Sequence, residues 1–217
     1  MLAGHFASAA ILKGADNRVP LWVLLVAVQF VDIFCMIFVL LGWERMDVVH
    51  GFTAVNDLDM FMPYTHSLIM TPVWAALGAG LYKLYDKTAD NKSLLIVAIA
   101  VAGHWVLDLL VHVPDLPLFF NEDVKFGFGL WHFKFITIAL ESAMVVAAYM
   151  IYRRSSEAQI SNRAMFYAVF GLMAFFAAHQ LVFHIPTGDT TGTAITGLFV
   201  FLLLPVLAYF AEKRVTA

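Results

Sequence analysis

Residues 93–113 read SLLIVAIAVAGHWVLDLLVHV, an apolar run carrying one carboxylate, two histidines and no lysine or arginine. At 1.5 Å per residue it covers about 30 Å, the thickness of a bilayer's hydrocarbon layer, so it predicts a transmembrane helix. Its ionisable residues are not scattered. His104, Asp108 and His112 recur at every fourth position, which stacks imidazole, carboxylate and imidazole on one helical face over about 12 Å.

Five more runs of the same kind flank this one, at 20–41, 65–85, 131–152, 163–183 and 191–210. Over the 217 residues, 62% are apolar and 13% charged, against about 45–50% and 25% in ordinary soluble domains. The expected fold is therefore all-α: one polytopic membrane domain, residues 1–217, built as a six-transmembrane-helix bundle. Pro72 and Pro205 fall inside spans and predict kinks. Lys13, Arg18, Lys83, Lys87, Lys92, Arg153, Arg154, Arg163, Lys213 and Arg214 lie on one side of this topology, with Arg45, Lys125 and Lys134 on the other. The positive-inside rule then places both termini in the cytoplasm. Trp43 and Trp131 would mark the outer interface and Trp22 the inner one. A net charge of −3 without a basic stripe excludes nucleic acid as a partner. Cys35 is the single cysteine, which excludes an intramolecular disulfide and a cysteine zinc cluster. Residues 1–13 lack a basic segment ahead of their short apolar patch and do not read as a cleaved signal peptide.

Ionisable groups inside spans cost several kcal/mol and are functional candidates by default. On this topology Asp32, His104, Asp108 and Glu141 lie roughly 8–15 Å below the outer boundary, and His66, His112, His132, His179 and His184 within about 6 Å of it. Imidazole nitrogen and carboxylate oxygen are ordinary zinc ligands, so Asp32, His66, His104 and Asp108 are candidates to hold a divalent metal of the zinc type. Thr65 reads as the N-cap of the second span. His66 would then sit at a helix start, where the partial positive charge favours a neutral, ligating ring. Glu141 and His112 are candidates to move protons. His132, His179 and His184 read either as outer partners, as ligands of a second ion or as interfacial residues bonded to water. The stripe in the third span also admits a metal-free reading, with Asp108 holding the histidines in a polar network.

These residues resemble a family. The order His5, Asp32, Thr65-His66-Ser67-Leu68, then His104 followed by Asp108, is similar to the predicted membrane-bound metal-dependent hydrolases of bacterial inner membranes. There an early histidine precedes a Pro-Asp-Ile-Asp-like motif, a Thr-His-Ser motif and Ser-His-x-x-x-Asp. The resemblance covers residues 1–135 and implies an inner-membrane location and a metal set of His5, Asp32, His66, His104 and Asp108. Val31-Asp32-Ile33-Phe34 keeps one of the two aspartates, Gly103 replaces the serine, and Met62-Pro63-Tyr64 stands where the family often has a basic stretch. A cytoplasmic N-terminus would also part His5 from the outer cluster unless residues 3–13 re-enter the bundle.

Three functions fit the residues. In the first, a membrane-embedded metal-dependent hydrolase acts on a lipid-like ester, amide or phosphoester near the outer leaflet. In the second, the chain is a non-catalytic subunit or assembly factor that meets a membrane-protein partner through apolar faces and keeps a structural metal or polar cluster. The third is a proton- or cation-coupled transporter, against which the inner halves of the spans offer almost no ionisable groups.

Overall fold

The computed structural model describes residues 1–121, 123–179 and 189–212. The helix that carries the histidine stripe is α5 (Asn91–Val111), whose Asp90 cap accepts a hydrogen bond from the Ser93 N–H, satisfying one of the donors a helix start leaves unpaired. The other helices are α1 (Leu2–Lys13), α2 (Leu21–Val28), α3 (Phe30–Leu40), α4 (Thr71–Tyr85), α6 (Lys134–Ser156), α7 (Arg163–His179) and α8 (Thr190–Ala211), with α5 packed on α4, α2 and α1. Two small antiparallel pairs complete the described residues: β1 (Arg45–Val48) with β2 (Leu58–Phe61), and β3 (Leu116–Pro117) with β4 (Lys125–Phe126).

Three helices are long and apolar enough to cross a bilayer: Asn91–Val111, the helical stretch Lys134–Gln159, and Thr190–Ala211. A fourth span exists if α2 and α3, bent by 49° at Gln29, count as one. This corrects the expected six. Run 65–85 is divided, because residues 62–67 are irregular and α4 starts only at Thr71. Pro72 consequently sits in the first turn of a helix, where its missing N–H costs nothing, and produces no kink. In run 163–183 the described helix covers Arg163–His179, seventeen residues, and residues 180–183 lie outside the described set. Apolarity counts lipid compatibility and is blind to breaks in the backbone, which is why a composition reading overcounts.

The largest departure is α1. Its twelve residues are too short to span, yet Ala3, Phe6, Ala7, Ala9 and Ala10 are fully buried. A helix apolar all round belongs inside a bundle, and its alanines allow close approach to α6 and α2. Residues 2–13 are thus a core element, not a tail. Glu141 of α6 fixes one end, its Oε2 accepting the N–H groups of Ala3 (2.8 Å) and Gly4 (3.1 Å). At the other end the buried Lys13 ammonium donates to the carbonyls of Asn17 and Val19 and lies 3.3 Å from Glu212 Oε1. Glu212 also accepts from Tyr152 Oη and from the Leu21 N–H, so α1, α2, α6 and α8 are tied by one paired charge.

A candidate metal centre built on three histidines

The break at Gln29 sets one histidine. Beside it the Val28 carbonyl meets His104 Nδ1 at 2.6 Å. A carbonyl can only accept, so Nδ1 carries a proton, and in the neutral ring Nε2 presents a lone pair.

His66 is set by irregular backbone. The expectation that Thr65 caps a helix is corrected: Thr65 Oγ1 donates to Glu44 Oε2 (2.8 Å), and Glu44 Oε1 accepts the Tyr64 and Thr65 N–H groups. Two indoles pin the same segment, Trp74 Nε1 donating to the Tyr64 carbonyl and Trp105 Nε1 to the His66 carbonyl. With its single hydrogen spent on Glu44, Thr65 Oγ1 must accept from His66 Nδ1, 2.8 Å away. Thr65, rather than a helix dipole, therefore orients His66 so that Nε2 could serve as a ligand atom. His112, at the C-terminal end of α5, repeats the pattern, with Nδ1 2.9 Å from Asp115 Oδ1. The turn that carries His112 is closed by the Gly129 N–H, which donates to the His112 carbonyl, and the neighbouring Gly127 has a φ of +155° that suits glycine. A Cβ there would lie 2.1 Å from the Val113 carbonyl oxygen.

All three histidines thus aim Nε2 inward, at two carboxylates that are also acceptors. His66 Nε2 lies 3.2 Å and His104 Nε2 3.4 Å from Asp32 Oδ1, and the two nitrogens are 3.3 Å apart. Asp108 Oδ2 lies 2.8 Å from His104 Nε2 and 3.6 Å from His66 Nε2. His5 joins them: its ring stacks on His104 with centroids 3.9 Å apart, and Nε2 is 3.2 Å from Asp108 Oδ1. The objection that His5 lies on the wrong side of the bundle falls with the burial of α1. Two groups have geometry able to hold an ion: Asp32, His66 and His104, and His5, His104 and Asp108. All are buried except Asp32, which is 20% exposed.

A cavity of about 250 Å³ opens onto this cluster, lined by Asp32, His66, Asp108, His112 and Glu141 and walled by apolar side chains including Met36, Met60 and Phe201. Of the two groups expected to move protons, Glu141 spends Oε2 on capping α1, and His112 is tied to Asp115. His132 is exposed and outside the cluster, while His179 lines the cavity and bonds the Phe176 carbonyl through Nδ1. His184 lies outside the described residues. Trp131, expected at the membrane interface, is buried with its ring 4.1 Å from that of His112. Glu44 and Asp115 were not singled out by sequence. Asp115 follows His112 by three residues, a spacing that can serve as a signal, whereas nothing marks Glu44 in the sequence. Comparison with protein-family models, curated proteins and solved structures returned no match for this chain.

Proposed function

We propose that the chain is an integral membrane protein, with both termini cytoplasmic, in which Asp32, His66, His104 and Asp108 hold a divalent ion of the zinc class for hydrolysis of a lipid-like ester, amide or phosphoester. One observation carries this reading. The Asp32–His66–His104 triangle has edges of 3.2, 3.4 and 3.3 Å, and a tetrahedron with bonds of about 2.0–2.1 Å has edges of about 3.3–3.4 Å. The triangle fits one face of such a tetrahedron. Three acceptors at these separations repel one another unless a cation lies between them or a ring nitrogen carries a second proton, and the Nδ1–H groups fit neutral, ligating rings.

An ion of this class supplies a nucleophile from water near neutral pH and polarises a carbonyl or phosphoryl oxygen. The protein's part is positional. Val28 and Thr65 orient two rings, and Asp108 stands 2.8 Å from His104 Nε2 to complete the set. Asp32, the exposed member, turns the site toward the cavity, which Glu141 also lines with its Oε2 held by the N–H groups of Ala3 and Gly4. Apolar walls suit an acyl chain, and their low polarity strengthens charge interactions at the cluster. The bacterial inner membrane, the location implied by the resemblance, fits this substrate class.

The test is hydrolysis of short-chain acyl nitrophenyl esters and of bis-nitrophenyl phosphate by detergent-purified protein, before and after chelation and zinc return. Activity that disappears with chelator, returns with zinc and is lost in Asp32→Asn is expected. A metal-bearing protein inactive on every such substrate refutes catalysis and leaves a structural metal site.

A further inference from the structure

Asp108 faces two ways. Its Oδ2 points to His104 and His66, and its Oδ1 to a different set: His5 Nε2 at 3.2 Å and His112 Nε2 at 3.7 Å. We infer that the centre is binuclear, with Asp108 bridging two divalent ions, the first at Asp32, His66 and His104 and the second at Asp108 Oδ1, His5 and His112. This rests on the metal reading above and extends it to stoichiometry and to a second ligand set.

Three observations outside the first triangle support the second ion. His5 is 1% exposed, its Nδ1 has no hydrogen-bond partner among the described residues, and its Nε2 faces Asp108 Oδ1 at 3.2 Å, a pairing that an ion held between nitrogen and oxygen would satisfy. His112 has the outer partner that metal-bound histidines have, a carboxylate on its other nitrogen. One Nε2 cannot serve two ions, so with His104 in the first set a second ion would draw on the other nitrogens facing Asp108 Oδ1, those of His5 and His112. A carboxylate bridging through both oxygens holds ions about 3.5–4 Å apart, the separation of two-metal hydrolytic sites. His112, Asp108 and His5 all line the cavity, so both ions would face the same substrate space, and His112 serves as a ligand, not as the proton carrier its position suggested. The competing cation is the Met1 α-amino nitrogen, 3.7 Å from Asp108 Oδ1.

The test is zinc stoichiometry on the full chain, purified in detergent, stripped with chelator and dialysed against Zn²⁺, with helix content checked by circular dichroism. Two ions per chain are expected in the wild type and one in His112→Gln, with Asp32→Asn keeping the second ion and losing the first. One ion in the wild type, unchanged in His112→Gln and lost in Asp32→Asn, overturns the second site and leaves the first intact. One ion lost in His112→Gln and kept in Asp32→Asn overturns the first site instead, and no ion overturns both. Should His112→Gln lose helix content, Asp115→Asn takes its place, with at least tenfold weaker second-site binding expected. Mn²⁺ loading reads the bridge separately: an exchange-coupled paramagnetic resonance signal is expected, and two uncoupled ions would refute bridging by Asp108.

Discussion

Glu44 touches no ligand atom, yet replacing it with Gln should disarm His66. The Glu44 carboxylate only accepts, taking the Tyr64 and Thr65 N–H groups on Oε1 and the Thr65 hydroxyl on Oε2. In Glu44→Gln the amide oxygen can keep the two N–H groups, but an NH₂ then faces Thr65 Oγ1 and must donate to it. The threonine hydrogen turns to His66 Nδ1, 2.8 Å away, and the imidazole proton moves to Nε2, where the ion should bind. Loss of an outer partner typically weakens metal binding 10–100-fold, or about 1.4–2.7 kcal/mol, and the inverted proton places Glu44→Gln at the upper end. Thr65→Val removes the acceptor without supplying a donor and belongs near tenfold. Thr65→Ser should bind as the wild type does. The assay is competition for zinc against a chromophoric chelator, with helix content as the folding control. A folded Glu44→Gln protein within threefold of wild-type affinity would refute the role given to the Nδ1 partner.

Glu141→Ala orphans the buried N–H groups of Ala3 and Gly4, so denaturant unfolding should show a loss of about 1–3 kcal/mol, and protease should cut within α1 sooner. Gly127→Ala drives a methyl group into the Val113 carbonyl and should cost about 1–3 kcal/mol; unchanged thermal stability would show that this turn has room. Arg18 and Ser93 hold the Asp16 carboxyl down at about 2 against burial, the largest influence, which acts upward. Because its folded value lies below its unfolded one, Asp16's contribution is present above about pH 4 and lost as pH falls toward 2; Asp16→Asn should flatten that limb of a thermal-stability profile. For orientation, a cysteine at Phe128 should react with an impermeant reagent added outside intact cells and one at Lys87 should not, and the opposite pattern would invert the proposed topology.

The stripe from His104 to His112 was legible because fourfold spacing on a helix converts directly into a shared face. Asp32 and His66 were legible because an ionisable residue in an apolar run is conspicuous. His5 was misplaced because the positive-inside rule treats a short segment before the first long run as a tail, and nothing in twelve residues, half of them small, announces that α1 folds back into the bundle. Glu44 and Asp115 look like ordinary loop carboxylates, and their meaning comes only from the rings they orient. The break at Gln29 was hidden for a related reason: the residues around it are as apolar as any continuous span, while the function of the bend lies in where it leaves the Val28 carbonyl.

X-ray absorption at the zinc edge of the purified, zinc-loaded protein tests the existence of the centre most directly. The expected result is a shell of nitrogen and oxygen at about 2.0–2.1 Å with imidazole scattering behind it and no sulfur, the edge signal falling by about half in His104→Gln as the first ion is lost. A zinc-free protein, or a shell with sulfur at about 2.3 Å from Cys35, would contradict it.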